Sequence, residues 1–316
     1  MMSDNVNIQS GQMASPQQPS VDPIHLQQQQ VQLQQQPQQQ AQVQQSDPTE
    51  SIQMQITISI SGGGPGQKVN MDMQVQGEIP EKLRLFRKTL DDHQWKSSLF
   101  RFLGNQTSDQ VEVDLFKLMC NVLEQNLFAQ VDWARSTPYF RELLVDDQMK
   151  LLQHSWSEMF ILDHIHHRMH NNLPDDTQLP NGQKFELLSL ALLGCPFMSD
   201  KFLEVSNTMR QLQFDPADYI CLKFIMLLNQ AEIQVLNNRA HVQESSEQVH
   251  QILMRYCQNL YPNVPDKYNQ LIALLPELRS MAQRGEDFLY FKHMQGSAPH
   301  NTLLMEMLRV GHKDYP

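Results

Sequence analysis

A single carboxylate, Glu306, stands inside the otherwise apolar run Leu303-Leu304-Met305-Glu306-Met307-Leu308 near the end of a 316-residue chain. On a helix, burying Leu304, Met307 and Leu308 at i, i+3 and i+4 leaves Leu303 and Glu306 on the adjacent edge. The acid then points along the rim of whatever surface the helix docks against. That placement suits a helix-binding groove better than an active site. Four histidines, His164, His166, His167 and His170, form a second cluster. His166 and His170 have the i, i+4 spacing of a metal pair, but no carboxylate or cysteine completes the set on the same face, so no metal site is expected. No Ser-His-Asp order with a nucleophile elbow, no His-Glu-x-x-His and no glycine-rich dinucleotide turn is present, so the expectation is no enzyme and no catalytic residue.

The elements that must position these residues are helices. From about Ile79 onward apolar residues recur at three and four positions, as in Leu115, Met119, Val122 and Leu123, or Leu151, Ser155, Met159 and Leu162. Polar breaks fall near Asn105, Asn171 to Gly182, Asp215-Pro216, Asn263 to Pro265 and Gly296. Residues 79–316 are therefore expected to form one all-α domain large enough for a single core, and Ile220 to Leu228, apolar nearly all round, is expected to be buried on both sides. Leu271-Ile272-Ala273-Leu274-Leu275 is itself a Leu-x-x-Leu-Leu sequence, but followed by Pro276 it reads as core.

Residues 1–78 differ in kind. Glutamine dominates up to Gln45, apolar bulk is scarce, and such a segment cannot offset the ~1–2 kcal/mol per residue of backbone ordering, so disorder is expected. Within it Ile52 to Ile60 alternates as a strand would, and the glycines at 62–64 and 66 do not make a phosphate loop because Pro65 interrupts them. Lys and Arg total 24 against 35 Asp and Glu, a formal net charge of −11, which argues against direct contact with nucleic acid. No run of eighteen apolar residues and no secretion signal is present, so neither a membrane span nor export is expected. Cys120, Cys195, Cys221 and Cys257 are isolated and read as reduced core thiols.

The block Phe128-Ala129-Gln130-Val131-Asp132-Trp133-Ala134-Arg135, followed by Phe140 through Gln153, resembles the signature of nuclear-receptor ligand-binding domains. Trp133-Ala134-Arg135, Val145 to Leu152, Leu162-Asp163-His164, Leu222-Lys223-Phe224 and the closing Leu303-to-Leu308 motif are most similar to the fushi tarazu factor, steroidogenic factor and liver receptor homologue branch, in its invertebrate form. The resemblance implies a three-layer sandwich of about twelve helices with a ligand cavity in its lower half. Four cysteines cannot build the two four-cysteine zinc modules of a full-length receptor, so the resemblance implies a receptor form, or a fragment, without its own DNA-binding domain.

It also implies a function. A partner helix of Leu-x-x-Leu-Leu type is two turns long, roughly 12 Å, with unpaired N–H groups at one end and carbonyls at the other. In the family, positions matching Glu306 and Arg135 clamp those ends, and Met149, Leu152 and Leu303, with Gln153 at the rim, take the leucines. Arginine replaces the lysine common in other receptors and keeps the charge. The implied partners are coactivators and corepressors with Leu-x-x-Leu-Leu helices, and homeodomain transcription factors besides; the implied location is the nucleus and the implied state monomeric. In lipid-binding relatives a glycine amide, a tyrosine hydroxyl and a lysine hold a phospholipid head group. The matching residues here are Gly194, Phe288 and Lys292, with His164 lining the cavity, and phenylalanine cannot donate a hydrogen bond. Leu192, Leu193, Phe197 or Met198, turned inward, would fill the cavity. The reading is therefore a ligand-independent receptor with no cofactor. A phospholipid sensor or carrier is the alternative, and a chain that competes with the full-length receptor for coregulators is a third.

Overall fold

A computed structural model describes residues 81–105, 111–300 and 302–311. The glutamine-rich segment and the alternating run at 52–60 lie outside the described residues. Twelve α-helices follow in order among those described: α1 (Glu81–Arg87), α2 (Asp92–Asn105), α3 (Leu115–Ser136), α4 (Pro138–Arg141), α5 (Val145–His170), α6 (Leu188–Ala191), α7 (Ser199–Gln211), α8 (Pro216–Leu227), α9 (Arg239–Leu260), α10 (Lys267–Ala273), α11 (Leu275–Met294) and α12 (Leu303–Gly311). The architecture is an all-α sandwich. α5 and α8 form its middle, with α1 and α3 on one side and α9 and α11 on the other.

Local chemistry sets the helix limits. Asp114 caps α3 by accepting from Phe116 N and Lys117 N at 3.0 and 3.1 Å. Asp215 and Asp218 form a reciprocal capping box ahead of α8, with Pro216 at its first position. Every described residue from Ala217 to Leu227 is buried, as an apolar sequence without a polar face requires. The internal Leu-x-x-Leu-Leu lies at the α10–α11 junction with Leu271 and Leu274 buried, so it is core.

A two-stranded antiparallel hairpin, β1 (Asp176–Gln178) with β2 (Lys184–Glu186), departs from the purely helical expectation. Its strands are short and mostly polar, so no alternating apolar pattern announced them. The Asn181-Gly182 dipeptide in its loop was the available signal.

Much of the family signature serves as cross-linking. Asp147, wholly buried at the start of α5, accepts from Asn237 N at 2.8 Å and Asn238 N at 2.9 Å, fixing the chain ahead of α9. Gln148 donates to Phe140 O and Leu143 O, holding the α4–α5 turn. Lys223 pairs with Asp163 at 2.8 Å and sits 4.5 Å from the Trp133 ring, tying α3, α5 and α8 together.

One buried acid makes stability depend on pH. Burial, with Glu286 adding to it against the pull of Arg279, pushes the Glu158 carboxyl up to about 8. An unfolded glutamate ionises near 4.5, so between those values the folded state holds the extra proton and stability falls as pH rises. Glu158→Gln is neutral throughout. Relative to the parent chain it is expected to gain more than the ~1.4 kcal/mol that one pKa unit is worth between pH 5 and pH 8, as read by urea denaturation at both.

Candidate functional site

The closing helix is held by a residue far upstream. Glu124, half-buried on α3, accepts from Leu303 N and Leu304 N at 2.9 Å each, one bond to each carboxylate oxygen. Thr302 Oγ1 accepts from Met305 N at 3.3 Å. The first three N–H groups of α12, which have no partner within the helix, are all satisfied in this way. α12 packs on α3, α5 and α11, burying Leu304, Met305, Met307 and Leu308. Met305 is buried as well as the three residues expected from the i, i+3, i+4 pattern, because the trough reaches further round the helix than one stripe. Leu303 is half-buried and Glu306 exposed.

Helix geometry relates this anchor to Arg135. Eleven residues separate Glu124 from Arg135 on α3, which is ~16 Å along the axis and roughly 20° in azimuth, so both point from nearly the same face. Between them on that face stand Phe128, 41% exposed, and half-buried Val131. Arg135 is exposed in the last turn of α3. On α5, Met149 and Gln153 are half-buried and Leu152 is buried, at i, i+4 and i+3. α3, α5 and α12, the helices that carry Phe128, Val131 and Arg135, Met149 and Leu152, and Leu303 and Glu306, are mutually packed. Phe128 and Val131 extend the expected apolar set, and their i, i+3 spacing ahead of Arg135 was the signal for it.

The residues matched to a head-group site are engaged otherwise. Gly194 N donates to Ser189 O at 2.9 Å. Phe288 is half-buried with Lys292 Nζ 5.6 Å from its ring centroid. His164 is buried against Phe202, ring centroids 5.6 Å apart, and burial pushes its imidazole down to about 3, leaving it neutral. Leu193 and Gly194 both have positive φ, 52° and 78°. This tight turn drives the 192–194 segment inward. A Cβ at Gly194 would lie 3.1 Å from Met119 and Phe116 of α3, and one at Gly285 of α11 would lie 3.0 Å from Leu192 O. The segment therefore bridges α3 and α11, with Leu192, Leu193 and Met198 buried and Phe197, 84% exposed, turned away.

Elsewhere, a cleft of about 640 Å³ opens between α2, α3, α5 and α8, lined among others by Trp95, His164, His167 and Lys223. Beside it, Asp92 at the start of α2 meets His166, Oδ2 to Nε2 at 2.8 Å. His170 is not part of that contact, its Nε2 lying 3.1 Å from Phe214 O. No carboxylate on the same face of α5 was expected, and Asp92 instead arrives from another helix, 74 residues upstream, where spacing within α5 cannot register it.

Residues 105–295 match the family described as the ligand-binding domain of nuclear hormone receptor. The chain belongs to the nuclear hormone receptor family, and its described helices are that family's ligand-binding domain. Its relatives are those of the fushi tarazu factor and steroidogenic factor branch. The nuclear hormone receptor FTZ-F1 of Drosophila melanogaster is 55% identical over 231 residues, 73% of this chain and 22% of that protein. The nuclear hormone receptor FTZ-F1 of Bombyx mori is 52% identical over 231 residues, 73% of this chain and 43% of that protein. Nuclear receptor subfamily 5 group A member 2 of Mus musculus is 36% identical over 234 residues, 72% of this chain and 42% of that protein. The crystal structure of the ligand-binding domain of Fushi tarazu factor 1 of Drosophila melanogaster superimposes with a TM-score of 0.72 at 54% identity, covering 74% of this chain and 96% of that one. The chain spans less than half the length of these curated relatives. They are receptors and not enzymes.

Proposed function

We propose that residues 79–316 act in the nucleus as a transcription-regulating receptor domain that recruits Leu-x-x-Leu-Leu helices of coregulators, with residues 1–78 as a glutamine-rich N-terminal or hinge segment. The observation that supports this reading is the Glu124 bond pair to the first turn of α12, which anchors the helix carrying Leu303 and Glu306 on α3. Arg135, Gln153 and Glu306 fix the direction and register of the partner helix, and the apolar floor supplies most of the affinity. Three buried leucines contribute roughly 1.5–3 kcal/mol each in gross terms, against ~0.3–2 kcal/mol for each helix-end charge. Titration of the full chain with a fluorescent Leu-x-x-Leu-Leu peptide, and with one whose three leucines are alanine, tests the recruitment. Saturable binding of the first and none of the second is expected; equal binding of both removes the reading.

The same domain works without a ligand. Of the three head-group anchors, the Gly194 amide is spent on Ser189 O, Phe288 offers no donor and Lys292 stands alone, while Leu192 and Leu193 occupy space between α3 and α11. Non-denaturing mass spectrometry of the purified chain is expected to give the mass of protein alone; a stoichiometric co-purified phospholipid would establish the lipid-sensor alternative instead.

A further inference from the structure

We propose that Asp92, His166 and His167 form a binding site for a single divalent transition-metal ion of zinc type, fastening α2 to α5. One donor atom from each of these three residues lies within 4.8 Å of the other two. A tetrahedral ion with ~2.0–2.2 Å bonds to imidazole and carboxylate needs ligand atoms little more than 3 Å apart, so closure asks for movements of about an ångström. The 2.8 Å contact of Asp92 Oδ2 with His166 Nε2 is already that close.

The ligands are oriented by stacking rather than by chance. The His166 ring lies on Tyr219 with centroids 3.9 Å apart and planes 5° from parallel, and the His167 ring lies on Trp95 at 3.6 Å and 8°. Such packing fixes ring orientation before any ion arrives. Two imidazoles and one carboxylate make a borderline donor set that suits Zn²⁺ better than Mg²⁺ or Ca²⁺.

Asn171, the residue closing α5, completes the surroundings. Its Nδ2 lies 2.8 Å from His167 Nδ1, and its side chain also hydrogen-bonds Asp92. With the amide turned over, its Oδ1 faces the same group of atoms and joins water in filling the remaining coordination positions. Access is provided by the cleft that Asp92, Trp95 and His167 line. Lys223, an interior cation on that cleft, is neutralised by Asp163 at 2.8 Å, so it presents no isolated positive charge to an entering ion. The ion would bind to residues of α2 and of the C-terminal end of α5, whereas the recruiting residues of α5, Met149 to Gln153, lie near its N-terminal end. The inference therefore stands or falls separately from the coregulator reading.

The test uses Zn²⁺ alone. The chelator-treated full chain is titrated with Zn²⁺ in competition with a chromophoric chelator, and hydrogen exchange of α2 is followed with and without the ion. The parent chain is expected to take up one Zn²⁺ and to slow exchange in residues 92–105. Asp92→Asn, partly exposed and able to keep a hydrogen bond to His166, should fold as the parent does yet bind at least tenfold more weakly and lose the protection. His167→Gln supplies the second variant, with the same two losses expected. No uptake by the parent chain overturns the proposal, as does uptake that both variants retain unchanged, which would place the ion on other histidines.

Discussion

Glu306→Lys is expected to abolish binding of a Leu-x-x-Leu-Leu peptide while leaving the melting temperature of the chain unchanged. The reason lies in where the side chain sits. Glu306 is exposed on α12 and forms no part of the buried face made by Leu304, Met305, Met307 and Leu308, so replacing it removes nothing from the core. For a docked partner helix the substitution is severe. The carboxylate that would receive the partner's free N–H groups becomes an ammonium facing the positive end of a helix dipole, so a favourable contact of ~0.3–2 kcal/mol turns repulsive. Arg135→Ala, which removes one clamp without reversal, should weaken the same peptide by roughly two- to thirty-fold, and less at high salt because the site is exposed. Fluorescence polarisation of the three chains measures both effects alongside a thermal scan. Undiminished affinity in Glu306→Lys would remove the clamp from the mechanism.

Glu124→Ala should weaken peptide binding by about 10- to 100-fold although it lies on a neighbouring helix to Glu306. Docking of α12 is a balance of terms of similar size. Burying four large apolar side chains is worth roughly 6–12 kcal/mol in gross terms, while ordering its nine residues costs about 9–18 kcal/mol. In such a balance the two charge-assisted bonds of Glu124, each worth ~1.5–3 kcal/mol, decide which state is populated. A partner that reads Leu303 and Glu306 sees only the docked fraction, so its apparent affinity falls in proportion. Hydrogen exchange should locate the cause, with amides 303–311 exchanging faster in Glu124→Ala before any peptide is added. Glu124→Gln, which keeps the shape and one carbonyl acceptor, should fall between. Loss of affinity with no change in α12 exchange would mean that Glu124 touches the peptide directly and is not a latch.

These two substitutions mark how far the residues could be read in order. Glu306 stands out as a candidate because one acid in an apolar helical run has few places to point, and Arg135 because it ends a recognisable block. Glu124 carries no such mark. It is one of two acids on an amphipathic helix, and what distinguishes it is a backbone segment 179 residues away that comes to rest with two bare N–H groups against it. Asp92 was missed for the same reason, its contact with His166 spanning 74 positions and two helices. The hairpin at 176–186 was passed over because three-residue polar strands make no periodic pattern.

The amino-acid order by itself determined the helical class, the near-total burial of α8, the breaks between helices and the family, because apolar spacing, caps and prolines act within a few residues of where they stand. Tertiary structure alone decided what closes the space between α3 and α11, which acid secures α12, and which carboxylate meets the histidines of α5. Each of those depends on groups brought together from distant parts of the chain, and a side chain's partner across a helix interface is set by the packing of whole elements rather than by its neighbours in sequence.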